Sequence, residues 1–378
     1  MRIGVNARFL LKDKLEGIGW FSYETLKRIT QNHPEHEFYF FFDRPYDASF
    51  IFSNNIKPIV LLPPARHPFL YYIFFEWSIT QTLKKYKIDY FISPDGFLSL
   101  STKVPSLAVI HDIAFEHRDN DVDKLTLNYY RYFFPKFARK ADRIATVSEY
   151  TKNDLLNTYK INQDKIDVVY NGANESYQPL NLDQINYTKH KFSGGFDYFI
   201  YVGSLNPRKN IANLLKSFDL FKESDITNTK LLIVGKVMVN DNHFKKEFES
   251  MKFKSDVIFT GRLSNDDLHL TLGSAKALVY IPFFEGFGIP VLESFYCNTP
   301  VITSNTTSLP EVAADAAILV DPNDIQLISS AMHNILKPEI QDDLKSKMQL
   351  RKLDFTWNKT ADLLWSSLQK MISQNKSN

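Results

Sequence analysis

Two acids, two glycines and a proline occur within the nine-residue segment Glu285-Gly-Phe-Gly-Ile-Pro-Val-Leu-Glu293. The segment follows an apolar run at residues 277–281, which is typical of a buried strand. The glycines permit a tight turn and the proline suits the first turn of a helix, so the pattern predicts a loop that opens a helix. The free N–H groups of such a helix start attract an anion. If the first acid lies in the loop and the second on the helix, both can reach one ligand; the alternative is an ordinary loop with two surface acids.

A second segment, Tyr201-Val-Gly-Ser-Leu-Asn-Pro-Arg-Lys-Asn210, pairs a glycine turn with two cations. Gly203 frees the turn after an apolar run, and Arg208 and Lys209 follow it. Ligands of open α/β sheets bind at the carboxyl ends of the strands, where an Arg–Lys pair suits a diphosphate. The alternative is a solvated basic turn.

Two further segments belong to the first half of the chain. His111 follows the apolar run 107–110 and is expected either at a ligand cleft or as a core histidine satisfied by its neighbour Asp112. The segment Glu16-Gly-Ile-Gly-Trp20 predicts a glycine turn after the first strand. It lacks a third glycine at the fingerprint spacing, so it argues only weakly for a dinucleotide.

The elements that must position these residues are short apolar runs that alternate with helical patterns, such as those at 20–30 and 125–140. This βαβ alternation predicts parallel sheets covered by helices on both faces. The predicted strands are 2–6, 38–42, 58–62, 89–93, 107–110, 143–147 and 167–170, then 198–202, 231–234, 257–260, 277–281, 301–303 and 318–320.

The alternation pauses at the polar, turn-rich stretch that begins at 173, which divides the chain into two α/β units. The predicted domains are 1–172, a connection at 173–196, a second domain at 197–355, and a C-terminal helix within 356–378. The apolar stripe of that helix is predicted from Leu363, Leu364, Leu368 and Met371.

Composition excludes several protein classes. The 378 residues include 45 Lys+Arg and 43 Asp+Glu, a net charge of +2, which argues against nucleic acid as a partner. The single cysteine, Cys297, cannot form an internal disulfide and fits a reducing compartment. The charged start is unlike a signal peptide, and no apolar run is long enough to span a membrane. We therefore expect a cytoplasmic protein.

Together the four segments resemble the retaining glycosyltransferases of family 4, over nearly the whole chain. Within that family the chain is most similar to the branch of bacterial O-antigen mannosyltransferases. Three further motifs follow the family pattern: Asn298-Thr-Pro-Val-Ile302, Ser308-Leu-Pro-Glu-Val312 and Phe355-Thr-Trp357. The resemblance implies the α/β GT-B fold, with two Rossmann-like domains, a deep interdomain cleft and a C-terminal helix that crosses back to the N-terminal domain.

The resemblance also implies roles for individual residues. Glu285 would lie beside the reacting carbon of the donor sugar, and His111 would contact that sugar from the N-terminal domain. The implied donor-binding residues are Arg208, Lys209, Glu293, Phe287, Gly288, Ile289, Gly203, Leu263 and Gly19. Among these, the cations would neutralise the diphosphate, Glu293 would hold the ribose and Leu263 would line the base. Many members have arginine where this chain has Ser204, which leaves one phosphate contact to Arg208.

The function implied is transfer of a hexosyl group, mannose-type favoured, from a GDP- or UDP-linked sugar to a glycan or lipid-linked glycan in cell-surface polysaccharide synthesis. No metal or other cofactor is expected. The acids Asp119, Asp121 and Asp123 fit a solvated loop better than a metal site, and Ser308 to Glu311 reads as a capping box. A nucleotide-sugar 2-epimerase or a non-catalytic sugar-nucleotide-binding scaffold on the same fold are the alternatives.

Two stretches of the first domain, 66–87 and 125–143, combine aromatic residues with clustered lysines and arginines. Such a combination suits the anionic inner face of the cytoplasmic membrane. The alternative is that the aromatic residues are core and the cations a solvated face. The aromatic run at 71–75 cannot all lie on one side of a helix, which favours at least partial burial.

Overall fold

The computed structural model describes residues 1–119, 121–174, 176–225, 227–236 and 242–377. Within them, two parallel sheets form, of seven and six strands. The strands are β1 (Arg2–Asn6), β2 (Glu37–Phe42), β3 (Ile56–Val60), β4 (Tyr90–Ser93), β5 (Ser106–Ile110), β6 (Arg143–Thr146), β7 (Ile166–Val168), β8 (Tyr198–Val202), β9 (Lys230–Val234), β10 (Val257–Gly261), β11 (Ala277–Tyr280), β12 (Val301–Ser304) and β13 (Ile318–Val320).

Helices fill the connections between the strands of each sheet. They are α1 (Gly17–Asn32), α2 (Pro68–Ile73), α3 (Thr80–Lys85), α4 (Ala114–His117), α5 (Lys124–Lys140), α6 (Glu149–Tyr159), α7 (Leu182–Ser193), α8 (Ile211–Ser224), α9 (Asn242–Ser250), α10 (Asn265–Gly273), α11 (Ile289–Tyr296), α12 (Leu309–Ala313), α13 (Ile325–Asn334), α14 (Pro338–Arg351) and α15 (Trp357–Ser377).

The strand order confirms the predicted fold class of two Rossmann-like α/β sheets. The first sheet runs β3-β2-β1-β4-β5-β6-β7 and the second β10-β9-β8-β11-β12-β13. The order reverses between β1 and β4 in the first sheet and between β8 and β11 in the second, and ligands of such sheets bind at the carboxyl ends beside the reversal. Every predicted strand forms, although β3 begins two residues before its predicted start.

The chain divides into two compact units: unit 1 contains Met1–Gly172 and the chain from Trp357 onward, and unit 2 contains Ala173–Thr356. Within unit 1, the Thr360 hydroxyl on α15 donates to the Tyr170 carbonyl at 2.7 Å. The buried stripe of α15 includes Leu364, Leu368 and Met371, whereas Leu363 is 41% exposed. Its place in the predicted stripe is wrong, because the buried positions repeat every three to four residues and Leu363 precedes the stripe by one.

The stretch predicted as a connection, 173–196, contains the helix α7 in unit 2. Asn181 and Gln184 form a capping box at its start, and Gly194 ends it with a left-handed φ of 67°. The sequence does not predict this helix, because the buried positions of α7 are the polar residues Thr188 and Ser193. The helix therefore lacks the apolar stripe by which helices are predicted.

The aromatic stretch of unit 1 is helical from Pro68 to Lys85, with one wide π turn between α2 and α3. Phe74 and Phe75 are buried in the core, whereas Phe69, Tyr72 and Trp77 are exposed. None of the helices within the described ranges is both apolar and long enough to cross a bilayer.

Candidate functional site

Three neighbouring strands of the second sheet end in glycine: Gly203 after β8, Gly235 after β9 and Gly261 at the end of β10. Gly235 has a φ of 151°, and a Cβ there would lie 1.8 Å from the Gly203 carbonyl oxygen. Only glycine permits this backbone approach. Sequence reasoning missed Gly235, although a glycine directly after a predicted strand was the available signal.

The loops after β8 and β11 are joined by backbone and amide hydrogen bonds. The Phe283 N–H donates to the Arg208 carbonyl at 2.8 Å. The Asn210 side-chain amide donates to the carbonyls of Ile281 at 3.0 Å and Pro322 at 2.7 Å, from a residue with a left-handed φ of 62°. The loop that carries Arg208 and Lys209 and the loop that leads to Glu285 therefore meet where the strand order reverses.

At that meeting point Lys209, Tyr280 and Glu285 form a buried polar cluster. The Lys209 ammonium donates to the Tyr280 hydroxyl at 2.6 Å and forms a short ion pair with Glu285. Burial raises the pKa of the Tyr280 hydroxyl well above its usual value, as does the Glu285 charge to a smaller extent. The hydroxyl is therefore neutral and can accept from Lys209. Sequence reasoning missed Tyr280, which looks like any apolar strand residue.

A serine on the following loop holds the backbone of the Glu285 segment in place. The Ser308 hydroxyl reaches the carbonyl oxygens of Glu285 at 2.9 Å and Phe287 at 3.1 Å. It makes no hydrogen bond to the start of α12, so the predicted capping box at Ser308 is wrong. The hydroxyl is fully buried beside two loop carbonyls, which require a donor away from water.

Gly288 forms the N-terminal boundary of α11, with a left-handed φ of 102°. A Cβ there would lie 2.6 Å from a Leu309 methyl, so the turn requires glycine. Helix α11 begins at Ile289, Pro290 follows, and no side chain caps the helix. This loop and helix start confirm the geometry predicted for the segment. The site thus combines a buried Lys–Glu pair with the positive end of a helix dipole.

Glu293 lies on α11 and is partly buried, and its carboxyl group has no hydrogen bond or ion pair to any residue in the described ranges. Burial raises the pKa of its carboxyl group from 4.5 to about 8. A carboxyl group that is buried without a partner favours its neutral form. Glu293 therefore retains its full hydrogen-bonding capacity for a ligand.

The raised pKa of Glu293 predicts how stability depends on pH. The folded state holds this proton more tightly than the unfolded chain, so its contribution is complete below about pH 4.5 and is lost as the pH rises toward 8. The free energy of unfolding of Glu293→Gln relative to the wild type should rise between pH 5 and pH 8, by up to about 1.4 kcal/mol for each pH unit, and its Tm should rise relative to the wild type in step. Thermal unfolding across this range measures it, with the exposed Glu339→Gln as control. A constant difference between the Glu293 variant and the wild type would contradict the raised pKa.

His111 and Gly19 both belong to unit 1. The His111 Nε2–H donates to the Pro94 carbonyl at 2.8 Å, and burial lowers the pKa of the ring. The predicted glycine turn at 16–20 is wrong, because α1 already begins at Gly17. A Cβ on Gly19 would lie 3.0 Å from the Phe9 carbonyl, so small size rather than a turn explains this glycine. Phe21, two residues on, contacts the His111 ring edge-on at 5.1 Å.

Two further positions from the sequence prediction, Leu263 and Ser204, lie in the loops that follow β10 and β8. Leu263 is half-buried in the loop after β10. The Ser204 hydroxyl accepts from the Asn206 amide at 3.1 Å, and the Ser204 carbonyl accepts from Tyr201 at 3.0 Å. Both contacts lie within the turn that carries Arg208 and Lys209.

The acids of the predicted solvated loop have structural partners. Asp119 pairs with Arg131 and Asp121 with Arg118, and Asp123 caps α5. Asn120, between the first two acids, lies outside the described residues. The part of the chain that the structure describes contains no cluster of three or more metal-ligating side chains.

Two family profiles match this chain. Residues 184–352 match the profile described as glycosyl transferases group 1, and residues 16–177 match glycosyltransferase family 4. The first match falls within unit 2, and the second covers most of unit 1 and extends five residues into unit 2. Together they leave only the chain ends and a short stretch between them unmatched.

Curated relatives and solved structures agree with these matches. O-antigen chain mannosyltransferase B of Escherichia coli is 27% identical over 350 residues, covering 88% of this chain and 89% of the relative. O-antigen chain mannosyltransferase RfbU of Salmonella typhimurium is 28% identical over 286 residues, covering 75% of this chain and 74% of the relative. The structure of HepE from Anabaena in complex with UDP-glucose superposes with a TM-score of 0.75 at 14% identity, covering 98% of this chain and all of the other. The chain therefore belongs to the family 4 glycosyltransferases and is a hexosyltransferase of the GT-B fold.

Proposed function

We propose that the protein transfers a mannose-type hexosyl group from a GDP- or UDP-linked sugar to a glycan or lipid-linked glycan, with retention and without a metal ion. The observation that carries the proposal is the buried Lys209–Glu285 pair beside the uncapped start of α11. The pair places one positive and one negative side chain beside a reaction in which the leaving group becomes negative and the sugar becomes positive.

Departure of a nucleoside diphosphate leaves negative charge on the phosphates and positive charge on the sugar carbon. In the proposal Lys209 and Arg208 bind the diphosphate, and the backbone at Phe287, Gly288 and Ile289 contributes helix-end N–H groups. Gly203 lets the phosphates approach the backbone closely. As the diphosphate draws Lys209 away, Glu285 is left facing the sugar carbon that becomes positive.

The other proposed contacts orient the donor. The Glu293 carboxyl group forms hydrogen bonds with the ribose hydroxyls, which supply the partners that it lacks within the described residues. Leu263 lines the base. In unit 1, His111 contacts the sugar, and Gly19 keeps the start of α1 small enough for a ligand to approach.

The names of the relatives support the choice of sugar and pathway. Both curated relatives reported above are called O-antigen chain mannosyltransferases, and HepE was solved with UDP-glucose. A 2-epimerase or a non-catalytic scaffold has no such support among them.

The decisive experiment is a donor panel with the purified protein. We expect GDP-mannose to raise the Tm more than GDP-glucose, UDP-glucose or UDP-N-acetylglucosamine, since a ligand at 100 Kd stabilises by about 2.7 kcal/mol. Mannosyl transfer to a lipid-linked glycan extract should persist in excess EDTA. Loss of transfer in EDTA, restored by Mg²⁺ or Mn²⁺, would refute the metal-free mechanism, and turnover of UDP-N-acetylglucosamine without an acceptor would indicate an epimerase.

We also propose that unit 1 contacts the inner face of the cytoplasmic membrane peripherally. Phe69, Trp77 and Tyr132 are 59–67% exposed, and Tyr72 is exposed beside Phe133. The Lys136 ammonium lies 3.3 Å from the centre of the Tyr132 ring. Exposed rings with adjacent cations suit the headgroup region of an anionic bilayer.

Vesicle flotation tests this contact. The protein should float with phosphatidylglycerol-containing vesicles at low salt and remain behind with neutral vesicles. It should be released by 0.5 M NaCl, because salt shortens the screening length and weakens the attraction to the anionic surface. The double variant Phe69→Ser, Trp77→Ser should lose most of the flotation. Tyr187→Ser, at an equally exposed ring of unit 2, is the matched control and should float like the wild type. Equal recovery with both kinds of vesicle would refute the proposal and favour a soluble acceptor.

A further inference from the structure

Arg8, two residues after β1, is a buried cation with unused hydrogen-bond donors. Its side chain is 6% exposed, and its Nε–H donates to the Asp95 carboxylate. Within the described ranges its two terminal groups, Nη1 and Nη2, have no hydrogen-bond acceptor. Neither Nη atom is among the fully buried polar atoms that lack a partner in the described residues, so both still reach solvent. Their four N–H bonds are therefore the donors that a ligand entering from solvent would meet.

Asp95 holds Arg8 in place. Its Oδ1 accepts from the Asn6 amide at 2.8 Å, the Ser93 hydroxyl at 3.0 Å and the Phe97 N–H at 3.1 Å, while Oδ2 accepts from Arg8. With both oxygens engaged, this carboxylate is fixed on the Nε side of the guanidinium. The pair is neutral overall, and only the Nη groups remain available.

Aromatic rings surround the guanidinium. The ring centres of Phe97, Phe9, Tyr71 and Phe75 lie 4.3, 4.9, 5.3 and 5.5 Å from its central carbon. Phe75 and Phe97 are buried, whereas Phe9 and Tyr71 are partly exposed. The access from solvent to the Nη groups is therefore bordered by aromatic rings.

The cluster lies where a ligand of this sheet is expected. Asn6 ends β1 and Ser93 ends β4, the two strands between which the order of the first sheet reverses. Pro94, the residue before Asp95, accepts the hydrogen bond from His111. Arg8 and His111 are thus attached to one short loop at the carboxyl edge of unit 1.

We propose that Arg8 is an acceptor-specificity residue, whose Nη groups donate to two neighbouring hydroxyl oxygens of an uncharged acceptor sugar that stacks against Phe9 and Tyr71. This inference rests on the proposed function, since it names the acceptor for the same reaction. Donor pairs and apolar ring faces match the hydroxyls and C–H faces of a pyranose. A phosphate is disfavoured because Asp95 already neutralises the guanidinium.

Binding of simple hexosides tests this without requiring turnover. Saturation-transfer NMR with octyl α-mannoside, octyl β-glucoside and octyl β-N-acetylglucosaminide should show at least one of them bound by the wild type. Arg8→Gln should raise its Kd at least tenfold, and much more than it raises the Kd for GDP. Arg44→Gln is the matched control, because Arg44 also pairs with a buried aspartate, Asp43, through two hydrogen bonds, and it should bind like the wild type.

The double variant Arg8→Gln, Asp95→Asn keeps the site uncharged if the single variant folds poorly, and it should show the same loss. Unchanged hexoside binding in either folded variant, no hexoside bound by the wild type, or binding of mannose 1-phosphate alone would overturn the assignment. A donor panel that gives no binding and no transfer would instead refute the proposed function, and the NMR result would still stand by itself.

Discussion

Glu285→Gln should lower kcat by about 10²–10³, which corresponds to about 2.7–4 kcal/mol of transition-state stabilisation. The carboxylate is proposed to face the sugar carbon as it becomes positive, and a neutral amide of the same shape cannot stabilise that charge. The donor KM should stay constant or fall, because Lys209 loses its ion pair with Glu285, which competes with the diphosphate for the ammonium group. Steady-state kinetics over a range of donor concentrations separates the two constants.

The exposed acid Glu339 supplies the control for this variant. Glu339→Gln should leave both constants within twofold, since its side chain is solvated at the first turn of α14. Full turnover by Glu285→Gln would show that Glu285 does not act at the donor sugar. A rise in donor KM at constant kcat would assign it to uniform donor binding instead.

Lys209→Gln should lower kcat/KM by a similar factor, about 10²–10³, for a different reason. The diphosphate loses its most buried positive partner, so both donor binding and departure of the leaving group are weakened. The variant should also unfold at a lower temperature, because removing one member of a buried ion pair typically costs about 3–5 kcal/mol. Kinetics and thermal unfolding measure the two effects separately.

The double variant Lys209→Gln, Glu285→Gln distinguishes these effects. Two neutral amides restore a balanced buried pair, so most of the lost Tm should return while turnover stays low. If activity returned together with the Tm, the pair would serve only folding. If Lys209→Gln kept the wild-type donor KM and kcat, the diphosphate contact would be wrong.

The sequence alone determined the architecture, and it also predicted the residues that we propose for the site. Buried parallel strands are continuous apolar runs, so their positions, the two sheets and the loops after β8 and β11 follow from local pattern. The helix start at Gly288 also follows, because glycine and proline restrict backbone conformation locally. The family resemblance rested on these same residues.

Tertiary structure decided which side chains meet, because partners distant in sequence leave no local pattern. Tyr280 reads as an apolar strand residue until β8 and β11 bring it to Lys209. Ser308 caps no helix because two loop carbonyls, more than twenty residues earlier, take its hydroxyl. No local pattern in the sequence distinguishes Arg8. Its role could be proposed only from the fold, which buries it against Asp95, 87 residues away, and leaves its Nη groups available to a ligand.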